Sequence, residues 1–194
     1  VVKDEIRRLD HILEDFLQFA RPREFVRRAV DVASVVTRVL DLLAGEAERH
    51  AVRLERDLDP VPPVAGDEER LRQVLVNLGL NALEAVKEGG MIRVSCRLAE
   101  SPERPEPAVE IVVDDDGHGV PPESRDRIFE PFFTTKAKGS GLGLSIVHAI
   151  VTQHGGEIRV TESPEGGARF TLRLPREEPP VIELFAQQTG EEQP

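Results

Sequence analysis

Gln73-Val-Leu-Val-Asn77-Leu-Gly-Leu-Asn81-Ala-Leu-Glu84 repeats a polar side chain at intervals of four, four and three residues. At 3.6 residues per turn, those four side chains share one face of a helix. The opposite face, with Leu71, Val74, Leu75, Leu78 and Val86, is directed into a core. The helix opens at Asp67, a suitable N-cap, with Glu68 and Glu69 where the helix dipole favours anions. It runs to about Lys87 and is ended by Gly89-Gly90. Short amide oxygens one turn apart suit a hard cation such as Mg²⁺ that also touches phosphate. A merely solvated polar face is the other reading of the same pattern.

Upstream of this helix the pattern predicts a strand around Phe25 to Val30, a helix from about Val32 to His50 and a strand near Val52 to Leu58. The proline-rich stretch Asp59 to Val64 reads as a connector. Downstream, Ile92 to Leu98 and Val109 to Asp114 read as strands, separated by a surface loop from Ser101 to Pro107. Asp115 to Ser140 is rich in Gly, Pro and charge, with a short helical hint at Pro122 to Phe129. A helix from about Leu142 to His154 and a hairpin follow, the hairpin formed by Glu157 to Thr161 and Arg169 to Leu174 with Gly166-Gly167 in its turn. At the start, Val2, Ile6, Leu9, Leu13, Phe16 and Ala20 form a helical stripe widened by Ile12, Leu17 and Phe19. Its width suits a helical bundle, and Pro22 stops it.

The 194 residues carry a formal charge of −11, 39% hydrophobic positions and neither Trp nor Tyr. That hydrophobic content supports one sizeable core with a short appendage. The acidic balance argues against a nucleic-acid partner, whose footprint is basic. A single Cys, Cys96, excludes an internal disulfide and a Cys-based metal cluster. No apolar run approaches the ~20 residues that span a bilayer, and no signal peptide opens the chain. The expectation is a soluble, acidic, cytoplasmic protein, with any membrane attachment of a longer parent left open.

Three further motifs follow in fixed order. Val112-Val-Asp-Asp-Asp-Gly117-His-Gly119-Val120 places a carboxylate, Asp115, at a strand end before Gly-x-Gly. Such a carboxylate can meet the edge of a planar base, or the turn can simply end the strand. Ile128-Phe-Glu-Pro-Phe-Phe-Thr-Thr-Lys136 sets two adjacent phenylalanines in a polar loop and offers Thr134, Thr135 and Lys136 to phosphate. Gly139-Ser-Gly141-Leu-Gly143-Leu opens a helix, where exposed backbone N–H groups and the dipole favour an anion. It is not a Rossmann fingerprint, because the third glycine would fall at Leu144. Nor is it a P-loop, because the chain has no Gly-Lys pair.

Taken together, Asn77 with Asn81, Asp115 with Gly117 and Gly119, Phe-Glu-Pro-Phe-Phe, and Gly-Ser-Gly-Leu-Gly-Leu resemble the N, G1, F and G2 boxes of a sensor histidine kinase. The resemblance covers roughly residues 23–175. That catalytic and ATP-binding domain belongs to the superfamily shared with gyrase, heat-shock chaperones and mismatch-repair ATPases. It implies an α+β fold, a two-layer α/β sandwich whose mixed sheet is covered on one face by helices. Residues 1–22 resemble the second helix of the dimerisation and phosphotransfer domain, which implies a homodimer in the parent. Residues 176–194 are expected to form an acidic, flexible tail. The first helix of that domain, with the phospho-accepting His, would then lie upstream; His11 is followed by Ile12 rather than by the usual acid and falls at an outward position.

Box by box, the resemblance implies ATP and Mg²⁺ as cofactors and a response regulator receiver domain as partner. Asp115 would hold the adenine amino group, with Gly117, Gly119 and Val120 beside it. Asn81 would coordinate Mg²⁺ and Asn77 assist. Phe133, Thr134, Thr135 and Lys136 would join Gly139, Ser140, Gly141, Leu142, Gly143 and Leu144 around the triphosphate. Asn77 and Lys136 are the implied catalytic positions. In hydrolysing relatives a Glu at the place of Asn77 activates water, which an amide cannot do. Asp116 stands where the family often has Asn, and Ala168 where Thr is common. Two other readings remain: an anti-sigma-type serine protein kinase of the same superfamily, and a nucleotide-binding dimerisation module that transfers nothing.

Overall fold

The computed structural model describes residues 24–101, 104–136 and 139–176. The bundle helix expected over residues 1–22 and all but the first residue of the expected tail lie outside the described residues.

In chain order the elements are β1 (Arg28–Val30), α1 (Val32–Arg49), β2 (Arg53–Leu58), β3 (Val64–Gly66), α2 (Glu68–Ala85), β4 (Met91–Ser101), β5 (Arg104–Asp115), α3 (Gly143–Gln153), β6 (Glu157–Glu162) and β7 (Ala168–Pro175). A short 3₁₀ turn, Pro122–Ser124, follows β5. Asp31 and Asp67 cap α1 and α2 by accepting from the N–H groups of Ser34 and Arg70, which satisfies donors that a helix start leaves unpaired.

β2, β4, β5, β7 and β6 form one sheet in that order, and β1 pairs with β3 in a separate ribbon. Only β2 and β4 run parallel, so the sheet is mixed. Strand side chains alternate between faces. One face gives Ile92, Val94, Cys96, Ile111, Val113, Phe170 and Leu172 to a core completed by α1, α2 and α3. The other face carries charge in rows. Glu55, Arg93, Asp114 and Arg169 lie side by side in register across four strands. Arg169 grips Asp114 with two bonds of 2.8 Å, and Arg97 reaches Glu110 at 2.6 Å. The architecture is the two-layer α+β sandwich expected from the sequence.

Two segments differ from the sequence expectation. Val64 does not end a connector: Val64–Gly66 is a strand, held antiparallel to β1. The Ser101–Pro107 loop is mostly sheet, since the β4–β5 ladder continues to Ser101 opposite Arg104. Prolines at 105 and 107 are tolerated because β7 ends opposite Ala108, leaving β5 a neighbour on one side only.

Candidate active site

α2 is the wall along which the separated motifs meet. At its C-terminal end, Gly117 lies so close that a Cβ there would sit 2.6 Å from the Ala85 carbonyl oxygen. One turn back, Lys136 Nζ donates to Asn81 Oδ1 at 3.0 Å and also pairs with Glu84. A further turn back, Asn77 Nδ2 reaches the Gly143 carbonyl at 3.4 Å, where α3 begins. Three stretches of chain, 117, 136 and 143, are therefore lined up on successive turns of one helix.

Asp115 closes β5 and is 2% exposed. Its Oδ1 accepts two backbone N–H groups, Gly117 at 2.9 Å and Ala168 at 3.0 Å. Oδ2 has no hydrogen-bond partner among the described residues. Burial raises the carboxyl above its ordinary range, and the two N–H bonds oppose that rise. An unpaired, buried carboxylate oxygen costs free energy unless a donor arrives. An exocyclic amino group is such a donor, so the site fits the adenine that the sequence implies. Asp116 does different work, its Oδ1 accepting the Met91 N–H at 3.0 Å.

The glycines divide into two kinds. Gly119, at φ +67°, lies against Gly167, where a Cβ would be 3.3 Å from the carbonyl oxygen. Gly141, at φ +68°, is pressed on Phe132: a Cβ would sit 2.5 Å from its carbonyl carbon. Phe132 itself is left-handed, at φ 67°, and its N–H donates to the Gly141 carbonyl at 2.9 Å. Gly143 has open space where its Cβ would be. That opening lies at the start of α3, where the first N–H groups of an 11-residue helix point outward. The amide oxygens of Asn77 and Asn81 and this opening fit a hard cation bound with phosphate.

For the remaining candidates the structure shows local contacts. Leu142 is buried, and its N–H donates to Ser140 Oγ at 3.3 Å. Thr134 Oγ1 accepts the Lys136 N–H at 3.1 Å, so it shapes the turn. Thr135 is exposed, and Gly139 packs against Thr134. Phe133 is half-buried with the Arg127 guanidinium 4.6 Å over its ring. Leu144 and Val120 are half-buried, and the Val120 carbonyl accepts from Arg125 Nε at 3.2 Å. Phe132, 65% exposed, is the most exposed large apolar side chain among the described residues.

Sequence reasoning singled out Ala168 but missed Gly167 as part of the Asp115 setting. A Cβ on Gly167 would fall on Asp115 itself. The signal was present in the doubled glycine of the hairpin turn, one more than a tight turn requires.

The family model described as "Histidine kinase-, DNA gyrase B-, and HSP90-like ATPase" matches residues 66–178. The chain is 39% identical over 176 residues to the sensor histidine kinase ZraS of Escherichia coli (strain K12), covering 90% of this chain and 37% of that protein. Among solved structures, the nucleotide-free catalytic domain of histidine kinase ThkA superposes with a TM-score of 0.68 at 31% identity, covering 79% of this chain and 97% of that one. ThkA in complex with the response regulator protein TrrA gives 0.75 at 28% identity, covering 91% and 49%.

Proposed function

Since the chain belongs to the histidine kinase-, DNA gyrase B- and HSP90-like ATPases, we propose that it is the part of a sensor histidine kinase that binds Mg²⁺-ATP and donates the γ-phosphate to a histidine. The observation that carries the reading is the meeting of four sequence motifs on α2 around an unpaired Asp115 oxygen. The identity to ZraS, of which the chain spans little more than a third, supports the same reading.

Each residue has a definite task. Asp115 Oδ2 accepts from the adenine amino group, selecting a base that presents a donor there. The N–H groups at the start of α3 receive phosphate oxygens. Asn81, with Asn77 behind it, holds the cation, which supplies charge neutralisation when bound. Lys136 adds a second positive charge at the phosphate end. Asn77 is an amide and takes up no proton, so no residue at that place activates water. The phosphoryl group is thereby kept for an imidazole acceptor.

Relay from that histidine to a response regulator, a homodimer through residues 1–22, and a cytoplasmic location belong to the same proposal. The TrrA complex of ThkA supports the first. Among the described residues, no helix is long and apolar enough to cross a membrane.

The test mixes the chain with Mg²⁺, γ-labelled ATP and a polypeptide bearing an acceptor helix. Acid-labile label on the acceptor is the expected result. Acid-stable label on a protein hydroxyl would favour a serine kinase. ATP binding without transfer would leave a nucleotide-binding module. Acid-labile label on this chain, lost in His11→Ala, would make His11 the acceptor.

A further inference from the structure

Among the described residues, Lys136 is the cation bonded to Asn81, and two features fix where it points. The first is its own turn: its N–H donates to Thr134 Oγ1 at 3.1 Å, and its carbonyl accepts from the Gly139 N–H at 3.3 Å. The second is Glu84, 52 residues earlier in the chain, whose carboxylate pairs with Nζ. Glu84 lies three residues after Asn81 on α2, so both face the same way. The ammonium consequently rests against two α2 side chains, 3.0 Å from Asn81 Oδ1 on one side and paired with Glu84 on the other.

Asn81 Oδ1 is the oxygen to which the proposed function assigns the divalent cation. The ammonium therefore stands on the oxygen assigned to the metal. A monocation and a divalent cation on one amide oxygen repel each other, so Lys136 must give up Asn81 when the metal is bound. Without Glu84 a long, flexible lysine side chain displaced from Asn81 would gain rotamer entropy by swinging into water. With Glu84 one partner survives the exchange, and the ammonium stays at the edge of the site.

We propose that Glu84 is a positioning residue: it holds the Lys136 ammonium beside Asn81 and so keeps it at the phosphate end of the site when nucleotide binds. This rests on the nucleotide reading of the site. Glu84 touches neither nucleotide nor metal in this scheme and acts through Lys136 alone. The Lys136 side chain is 35% exposed and that of Glu84 62%, so the pair is a modest, salt-screened one.

The chain has four lysines, Lys3, Lys87, Lys136 and Lys138. The nucleotide-free protein is acetylated with a limiting amine-reactive ester, and the rate at each lysine is read by peptide mass. Glu84→Gln is expected to raise the Lys136 rate by about two- to fivefold, the range an exposed ion pair supports. The Lys87 rate should stay unchanged, and Glu84→Asp should return most of the protection. In the transfer assay, Glu84→Gln should lower kcat by a similar factor with KM for ATP unchanged, and an unchanged melting temperature and ATP-binding stoichiometry separate that from a loss of folded protein. Calorimetric ATP binding by the wild-type protein is measured alongside. Intact ATP binding with equal Lys136 acetylation in wild type and Glu84→Gln overturns the proposal alone. Absence of ATP binding overturns the nucleotide reading, and this proposal with it.

Discussion

At Asp115 two demands meet on one carboxylate. Oδ1 is committed to the N–H groups of Gly117 and Ala168, and Oδ2 awaits a donor inside a buried wall. Asp115→Asn keeps the shape and changes the chemistry. If the amide oxygen stays with the two N–H groups, the amide nitrogen faces the adenine amino group, donor against donor. Such a bond to a charged group is worth about 1.5–3 kcal/mol, so ATP affinity should fall at least about tenfold. A base with a 6-oxo group would accept from the new amide, and GTP should lose far less than ATP. Calorimetry with both nucleotides checks this, and unchanged ATP affinity would remove Asp115 from the base-reading role. His154, 2% exposed, makes a second residue-scale case. Its Nδ1–H donates to the Ile150 carbonyl at 2.8 Å, and its Nε2 accepts the Asp67 N–H at 3.0 Å. Phe25 packs edge-on to the ring, and a Cβ on Gly66 would be 2.6 Å from it. Asp67, Arg27 and Arg70 are the charged groups around it. Burial is the largest influence and lowers the His154 pKa below 6.5. The folded state therefore holds the imidazole neutral, while the unfolded chain takes up a proton as pH drops through about 6.5. Stability from this group is full above that pH and is lost below it, by at most about 1.4 kcal/mol per pH unit. Urea unfolding at pH 7.5 and 5.5 should show a larger loss for wild type than for His154→Gln. An equal loss would mean the ring is not held neutral.

At the scale of elements, α2 explains why parts of the site were legible in the sequence and parts were not. Its polar face follows directly from helical period, because Asn77, Asn81 and Glu84 need nothing beyond their spacing to be placed side by side. The same is true of the strand ends and the hairpin, where alternation with a glycine turn sufficed. β3 was hidden because three residues after a Pro-Pro pair show no period, and only pairing with β1 makes them a strand. The outer part of β5 was hidden by its prolines, whose cost depends on a neighbour that stops short. His154 and Gly167 owe their roles to partners 87 and 52 residues away, which no local pattern encodes. A pair of glycine substitutions tests the contrast between site and scaffold. Gly45, inside α1, has nothing within 4 Å of its missing Cβ. Gly45→Ala should stabilise by about 0.5–1 kcal/mol, since alanine loses less backbone freedom in a helix. Gly141→Ala must strain a left-handed residue and displace Phe132, opening the 2.9 Å bond that ties the phenylalanine loop to the glycine loop. Backbone strain of about 1–2 kcal/mol per residue predicts a lower melting temperature and, because the α3 entrance shifts, a larger loss in ATP affinity, of at least about tenfold. A Gly141→Ala protein that melts lower but binds ATP normally would separate the glycine loop from nucleotide recognition.

For the whole molecule, the arrangement predicts that nucleotide binding and global stability are one equilibrium. The ligand would touch groups from β5, the Phe132–Lys136 loop, α2 and α3, and β5, α2 and α3 all contribute side chains to the core. A ligand bound at 100 times its Kd stabilises the folded state by about 2.7 kcal/mol. In a chain of this size about 1 kcal/mol shifts the melting temperature by about 2–4 °C, so saturating Mg²⁺-ATP should raise it by about 5–10 °C. Cys96 provides an independent gauge. It is the single cysteine, 1% exposed on β4, an inner strand of the sheet, and burial above all pushes its thiol up to about 11. Only the thiolate reacts with a disulfide reagent, and in the folded protein neither the thiolate nor access is available. Labelling must then wait for opening of the sheet, at a rate set by the population of the opened form. Mg²⁺-ATP at 100 times its Kd should slow labelling by about 100-fold, and Asp115→Asn, binding at least about tenfold more weakly, should cut that protection to about tenfold or less at the same ATP concentration. Labelling in native buffer at the denatured-state rate would show that β4 is open without any transition. Slow labelling that nucleotide leaves unchanged would show that the four motifs on α2 do not share a ligand.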